Sequence, residues 1–406
     1  MKKPICGLLL AVLLALTLSR PAQAGGPRTY ILQPGEGLVS VARYFGTSVE
    51  TLVALNALPD ASVARAGQRL RVPDQQFRAA YTVRQGDTIT SIAARFGLPA
   101  DQLANQSGVA DLDRLEAGQT LTLSLSSSLM GADALPAGLL SSLLLTPWPA
   151  IQGQSVTLMA FTSQPVSLTV RFLDLEMPVI PNAGRQWALL GVPAMLAPGA
   201  YPVQVRAQAG ADVCEAILRL IVLEGQFATY DIVLTPESGK ADLLDPELIR
   251  LEGLRVNEVF ARRTPRRLWS GEWTSPLRID LLENTSSTYG ERRSYNGGPV
   301  SSFHEGWDIA APEGTPVLAP ANAIVALAEP LKVRGNAIIL DHGYGVLSGY
   351  WHLSEIGVKA GDAVRAGQVI GKVGTTGLST GSHLHWELRV GGIPVNPLEW
   401  TQRPVL

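Results

Sequence analysis

Short runs of alternating hydrophobic and polar residues dominate the chain, and they predict β-strands rather than long helices. In the middle of the chain, four runs with period-two character are separated by turn residues, at 155–161, 166–172, 201–207 and 216–222. Towards the end, glycine turns separate further apolar runs, at 315–319, 323–327, 336–342, 349–353, 368–374 and 383–388. The pattern therefore predicts two separate antiparallel β domains, the second of them built around a groove.

An internal repeat precedes these domains, because residues 30–72 recur at 81–123 with a constant offset of 51 and no gap. Repetition at a fixed period indicates duplicated structural units. In the second copy a short strand precedes a helix that Asp87 or Thr88 can cap and Gly97 can end. A second short helix around Leu103 and a closing strand at 119–123 follow, so each copy is predicted to be a β-α-α-β module.

The fold class is therefore multidomain and mainly β, and the chain divides into seven segments. The expected order is an export signal, two β-α-α-β modules, a linker, a β-sandwich of immunoglobulin-like type, a helical connector and a C-terminal antiparallel β domain with a groove. Their predicted bounds are 1–24, 29–73, 80–124, 125–147, 148–235, 236–284 and 285–400.

Residues 1–24 have the features of an export signal. Lys2 and Lys3 precede an apolar run at 5–18, and small residues at 22–24 form a cleavage site. The apolar run is short for a membrane span, so removal is favoured over retention as an anchor. The mature protein is then expected outside the cytoplasm, in the periplasm, the cell wall or the extracellular space, with no membrane span.

The connector is predicted to contain one helix. Asp245 suits the N-cap and Pro246 the first helical position, and the helix is expected to end near residues 262–263. Its predicted apolar face comprises Leu248, Leu251, Val259 and Phe260.

Composition narrows the possible partners. After removal of residues 1–24 the chain has 30 basic and 35 acidic residues, a net charge of −5, which argues against a nucleic-acid partner. Cys214 is the only remaining cysteine. The mature chain therefore has no internal disulfide and no zinc site built from several thiolates.

All five histidines lie between His304 and His385. Two even-spaced groups stand out, His304 with Asp308 and His383 with His385. On strands, residues two or four apart point to the same face, so imidazoles and a carboxylate can converge on one ion. Two neutral imidazoles and a carboxylate suit zinc with an open fourth position for water. Zinc lowers the pKa of that water to about 7, and imidazoles that are not ligands can move protons.

The repeat resembles the LysM module. The second copy carries Tyr81-Thr-Val-Arg-Gln-Gly-Asp-Thr-Ile and, further on, Ala117-Gly-Gln-Thr-Leu. The first copy departs from the pattern with Gly35-Glu-Gly-Leu, and the second has Ser107 where Asn56 stands in the first. The resemblance implies binding of N-acetylglucosamine-containing glycans such as peptidoglycan.

Residues 289–400 resemble the lysostaphin-type, or LytM-type, zinc metallopeptidases through their His-x-x-x-Asp, Tyr-x-His-Leu and His-x-His motifs. The resemblance implies Zn²⁺ as the cofactor. It implies that the zinc ligands are His304, Asp308 and His385. It also implies that His352 and His383 act in the reaction and that His342 has a supporting role.

Taken together, these resemblances predict an exported peptidoglycan hydrolase. Zinc-dependent endopeptidase chemistry would cut peptide stems or cross-bridges, while the LysM modules hold the glycan. The alternative is a non-catalytic wall-binding protein that activates another wall hydrolase, or a wall-binding structural protein. The complete set of ligand residues argues against the activator.

Overall fold

The computed structural model describes residues 28–32, 36–109, 115–131, 138–181, 185–232, 241–270 and 273–402. The predicted export signal at 1–24 lies outside the described residues. Strands outnumber helices throughout the described part, which confirms the mainly β fold class. Within those ranges no helix is both long enough and apolar enough to cross a membrane.

Each sequence repeat folds as two antiparallel strands with two helices between them, as predicted. The first copy comprises β1 (Arg28–Ile31), α1 (Leu38–Tyr44), α2 (Val49–Leu55) and β2 (Arg69–Val72). The second comprises β3 (Gln76–Thr82), α3 (Ile89–Phe96), α4 (Ala100–Ser107) and β4 (Thr120–Ser126).

Capping residues set the bounds of α3. The Thr88 hydroxyl accepts a hydrogen bond from the Ser91 N–H, and Gly97 ends the helix in the left-handed region at φ +69°. Of the two predicted caps, Thr88 is therefore the one used. Asp87 instead accepts a hydrogen bond from the Tyr81 hydroxyl at 2.6 Å.

Nine strands in two sheets form the middle domain. They are β5 (Leu140–Thr146), β6 (Ala150–Ile151), β7 (Ser155–Thr162), β8 (Ser167–Phe172), β9 (Leu175–Met177), β10 (Val179–Ile180), β11 (Arg185–Gly191), β12 (Gly199–Ala209) and β13 (Asp212–Leu223). One sheet has the order β10-β11-β7-β5 and the other β6-β13-β12-β8-β9. Buried residues of both sheets belong to one hydrophobic core. The four strands predicted here correspond to β7, β8, β12 and β13.

The predicted linker at 125–147 differs from the structure at both ends. β4 continues to Ser126, and β5 pairs with β7 along residues 140–146. Most of β5 is buried on both faces, so its sequence lacks the alternation that marks a half-buried strand. The Ser141 hydroxyl donates to the Phe161 carbonyl oxygen at 3.1 Å, which lets a serine-rich run enter the sheet.

The C-terminal domain is built on an eight-stranded sheet with the order β15-β18-β26-β22-β21-β20-β24 and β27 beside β26. Two three-stranded sheets, β14-β16-β17 and β19-β25-β23, flank it. The strands and helices of this part are β14 (Thr229–Ile232), α5 (Pro246–Phe260), β15 (Thr285–Ser287), β16 (Arg292–Tyr295), β17 (Ser302–Phe303), β18 (Gly306–Ala310), β19 (Pro316–Leu318), β20 (Ala323–Pro330), β21 (Asn336–Gly343), β22 (Val346–Leu353), β23 (Glu355–Ile356), β24 (Ala363–Val364), β25 (Val369–Lys372), β26 (His383–Val390), β27 (Ile393–Val395) and α6 (Glu399–Gln402).

The helix α5 begins as predicted, with Asp245 as N-cap and Pro246 at its first position. Its buried face differs from the predicted one, however. Leu251 is 51% exposed, whereas Glu252 is only 8% exposed. Glu252 is buried because its carboxylate accepts backbone hydrogen bonds from the loop before β21.

The middle domain contacts each of the other domains. Phe161 packs edge-on against Tyr30 of the first repeat, and Trp148 packs against Phe77 of the second. Towards the C-terminal domain, the Trp400 indole N–H donates to Ser155 Oγ at 3.0 Å. Cys214 of the middle domain is buried.

Candidate active site

Two neighbouring strands of the large sheet carry the centre of the site. β18 and β26 are antiparallel, and their register places Asp308 opposite His385 and Ala310 opposite His383. His304 lies two residues before β18 begins. Chain segments about eighty residues apart in sequence are thus joined by the pairing of two strands.

Three predicted ligand residues meet at one point. Asp308 Oδ1 is 3.1 Å from His304 Nε2 and 2.7 Å from His385 Nδ1. The two imidazole nitrogens are 3.0 Å apart. Among the described residues these three form a group whose donor atoms all lie within 4.8 Å of one another.

The residues around His304 fix the orientation of its ring. Its Nδ1 lies 2.9 Å from the Thr288 carbonyl oxygen and 3.0 Å from Ser287 Oγ. A carbonyl oxygen only accepts, so Nδ1 carries the proton and donates it there. The lone pair of Nε2 is consequently directed at the cluster, as metal binding requires.

The electrostatics of the cluster favour the protonation states of metal ligands. Burial raises the pKa of Asp308, but the neighbouring imidazoles of His385 and His304 outweigh it and hold that pKa well below its usual range. Burial lowers the pKa of His385, with the Asp308 charge acting in the opposite direction. An ionised carboxylate and a neutral imidazole are the forms that bind metal.

Two further histidines border the cluster. The rings of His352 and His383 have centroids 4.9 Å apart, and His383 Nε2 lies 3.8 Å from Asp308 Oδ1. His352 Nδ1 donates to the Thr376 carbonyl at 2.9 Å, and His383 Nδ1 to that of Gly381 at 2.8 Å. Both rings therefore keep the Nε2 lone pair available. Burial, together with the nearby His385, lowers the pKa of His352 to about 3.

His342 stands apart from this group. It is fully buried, with Nδ1 donating to the Asn322 carbonyl at 3.0 Å and Nε2 2.8 Å from Ser348 Oγ. The Trp273 ring packs against it at a centroid distance of 4.3 Å. Its supporting role was predicted, and its contacts are those of a core residue.

A buried group behind His385 was not identified from the sequence. The Trp351 ring stacks on His385 with a 27° interplanar angle, and its indole N–H donates to Glu387 Oε2 at 3.1 Å. Arg389 pairs with Glu387 at 2.5 Å and with Glu305 at 2.9 Å. Glu387 and Arg389 continue the period-two series of His383 and His385, and that spacing could have revealed them.

The donor set fits a zinc ion. Two imidazoles and one carboxylate match the composition of catalytic zinc sites with an open fourth position. Ligand bonds of about 2.0 Å in a tetrahedron would place the donor atoms about 3.3 Å apart, slightly more than the 2.7–3.1 Å seen here. The three side chains need to move apart by only a few tenths of an ångström.

The domain that carries this site matches a known family model. Residues 302–397 match the family model described as Peptidase family M23, and residues 30–73 and 81–124 match that of the LysM domain. The chain therefore carries two LysM domains followed in sequence by an M23 peptidase domain. That combination confirms both resemblances drawn from the sequence.

Curated relatives match this chain over part of its length. The chain is 48% identical over 96 residues to the DD-carboxypeptidase/endopeptidase Mpg of Neisseria meningitidis serogroup B, covering 24% of this chain and 22% of that protein. It is 39% identical over 121 residues to the peptidoglycan DD-endopeptidase ShyA of Vibrio cholerae, covering 30% of this chain and 28% of that one. The chain thus spans about a quarter of the length of these relatives.

A longer similarity exists to a solved structure. A crystal structure from Pseudomonas aeruginosa, described as a peptidase M23, covers 62% of this chain and 94% of its own. Its sequence identity is 26% and its TM-score is 0.46.

Proposed function

We propose that this protein is an exported peptidoglycan hydrolase, a zinc-dependent endopeptidase that cuts wall peptides while its LysM domains hold the glycan. The observation that carries the proposal is the convergence of His304, Asp308 and His385, with two more imidazoles beside them, in a domain that matches the M23 model. The activities named for the Neisseria and Vibrio relatives favour the DD-endopeptidase reaction.

His304, Asp308 and His385 would hold the zinc ion. A bound zinc supplies a Lewis acid and lowers the pKa of a water molecule. The ring of His304 is fixed by its Nδ1 hydrogen bond to Thr288, so its donor nitrogen is preorganised. Ionised Asp308 offsets part of the metal's charge.

His352 and His383 would handle the proton and the developing negative charge. Hydrolysis places the water oxygen on the peptide carbonyl carbon, and the leaving amine gains a proton. Because carbonyl oxygens hold the Nδ1–H of both rings, Nε2 of either can accept the water proton and then donate it. A protonated Nε2 also stabilises the tetrahedral oxyanion.

The zinc proposal is tested by metal content and wall digestion measured together. We expect purified wild-type protein to contain stoichiometric zinc and to release peptides from peptidoglycan, identified by mass spectrometry. His385→Ala and Asp308→Asn should lose the metal and at least about 10³-fold in rate, because both zinc and its activated water are lost. Glu355→Gln is the matched control, since Glu355 is exposed and forms a salt bridge with Lys372 in the same domain.

The alternative function has its own signature. A wall-binding activator would contain zinc yet leave wall peptides uncut, and His385→Ala would behave like the wild type. That pair of results would contradict the endopeptidase proposal.

A further inference from the structure

The helix α5 lies outside residues 302–397, the part that matches the peptidase model, yet it contacts the loop beside the catalytic histidines. Its residue Glu252 is 8% exposed and faces this loop, residues 331–335. A carboxylate buried to this degree is stabilised only when its oxygens accept hydrogen bonds. The partners of Glu252 therefore indicate what the residue does.

Both carboxylate oxygens of Glu252 bind backbone. Oε2 accepts the Val333 N–H at 2.8 Å, and Oε1 accepts the Arg334 N–H at 2.9 Å. The Arg334 guanidinium is a third donor, 3.3 Å from Oε1. One side chain of α5 thus fixes two consecutive peptide units of the loop.

The same two residues hold the active site with their carbonyl groups. The Arg334 carbonyl oxygen accepts the His352 N–H at 2.9 Å, and that of Val333 accepts the Leu378 N–H at 2.7 Å. Leu378 lies two residues after Thr376, whose carbonyl oxygen accepts a hydrogen bond from His352 Nδ1. The loop therefore connects Glu252 with the backbone of His352 and with the segment that contains Thr376, the hydrogen-bond partner of the His352 ring.

His352 depends on this support more than an ordinary strand residue does. Its φ is +62°, in the left-handed region that non-glycine residues rarely adopt. Such a conformation persists only where the surroundings hold it in place. The Arg334 guanidinium also lies 5.5 Å from the centre of the Trp351 ring, which stacks on His385.

We infer that Glu252 is a positioning residue for catalysis: by clamping residues 333–334 it holds the His352 imidazole in its working position. The inference rests on the proposed function, because it assigns His352 a part in the reaction. The residues that support catalysis would then include Glu252, which lies about fifty residues before the start of the matched domain. Glu252 itself does not touch the reacting atoms.

The test compares Glu252→Ala and Glu252→Gln with wild type in the full-length chain. Misplacing a catalytic group by about 1 Å costs about 10²-fold in rate, so Glu252→Ala should lower kcat about 10- to 100-fold. KM should stay within about twofold and zinc content should be unchanged, because the metal ligands are untouched. Glutamine keeps one acceptor oxygen for one of the two N–H groups, so Glu252→Gln should recover part of kcat.

Hydrogen exchange provides a readout that does not depend on activity. In Glu252→Ala, deuterium uptake should rise in peptides covering 331–336 and 349–354, while the rest of the sheet stays protected. Glu247→Ala is the matched control on the same helix, since Glu247 is exposed and forms a salt bridge with Arg250 of that helix. It should change neither kcat nor uptake at 349–354.

Two results would overturn the inference. Wild-type kcat together with wild-type uptake at 349–354 in Glu252→Ala would show that His352 is held without Glu252. A uniform rise of uptake across the domain, with Glu252→Gln as impaired as the alanine variant, would show a role in folding only. If the wild type cuts no wall peptide, the proposed function fails, while the uptake comparison still decides whether Glu252 positions His352.

Discussion

At the scale of single residues, the five histidines divide by what their second ring nitrogen contacts. His304, His352 and His383 each donate Nδ1–H to a backbone carbonyl, which leaves Nε2 for chemistry. His342 has both nitrogens engaged within the core. The same residue type therefore serves as predicted ligand, predicted proton carrier and core residue within one sheet.

His342 makes stability depend on pH. Burial lowers its pKa to about 3 from an ordinary value near 6.5. Its neutral form therefore contributes stability that is complete above pH 6.5 and is lost as pH falls from 6.5 towards 3, because only the unfolded chain binds the proton there. At pH 5 the loss amounts to about 2 kcal/mol.

His342→Gln tests this dependence. Glutamine can donate to the Asn322 carbonyl and accept from Ser348, but it does not titrate. Between pH 7 and pH 5 the variant should lose about 2 kcal/mol less free energy of unfolding than wild type, measured by urea denaturation at both values. The other histidines titrate in both proteins, so the difference isolates His342. Equal losses would contradict the assignment.

At the scale of elements, the two LysM domains neutralise equivalent acidic residues differently. In the second, Asp87 pairs at 2.7 Å with Arg95 of its own helix α3. In the first, the position equivalent to Arg95 is Tyr44, and a cation of the middle domain lies near the acidic residue. Arg185 of β11 donates to the Tyr44 hydroxyl at 2.7 Å and lies 3.7 Å from Glu36, whose side chain is 3% exposed.

The first LysM domain should therefore depend on Arg185. Removing the guanidinium takes one cation away from a buried carboxylate and one donor away from the Tyr44 hydroxyl, so Arg185→Ala should destabilise this domain by about 1–3 kcal/mol. Hydrogen exchange should rise in residues 36–72 and not in 76–109. Arg206→Ala is the control, because Arg206 forms an exposed pair with Glu215 and should cost less than about 0.5 kcal/mol. Equal effects of both variants would contradict the dependence.

At the scale of the whole molecule, the middle domain contacts both LysM domains and the peptidase domain. Deleting the LysM domains would uncover Phe161 and Trp148, so wall binding is better measured on the full chain. Tethering to glycan would raise the local concentration of peptide at the active site without changing the chemistry.

Competition separates the two modes of wall binding. Asp308→Asn protein should sediment with insoluble peptidoglycan, and soluble N-acetylglucosamine oligomers should release most of it if the LysM domains carry the binding. Soluble wall peptides should release little, because the peptide groove is a single site, whereas two linked LysM sites gain about 10²-fold or more from avidity. Release by peptides alone would contradict the glycan-binding assignment.

Local patterns in the sequence determined most elements and the order of the domains. Strand alternation, the caps of α3 and the start of α5 depend on neighbouring residues, so the sequence alone sufficed to predict them. Where both faces of a strand are buried, as in β5, alternation is absent and the strand was assigned to a linker. The predicted apolar face of α5 was wrong at Leu251 for a similar reason. Contacts with segments distant in sequence decide which side of a helix is buried.

The convergence of the site was decided by tertiary structure. Motifs named His304, Asp308 and His385, but the pairing of β18 with β26 and the path of the chain just before β18 bring their donor atoms within 3.1 Å of one another. No motif indicates Glu252, because its partners lie about eighty residues away and are backbone groups. Sequence determines which side chains can do the chemistry, and the pairing of distant segments decides which of them meet, since hydrogen bonds between strands and loops carry no signature in local sequence.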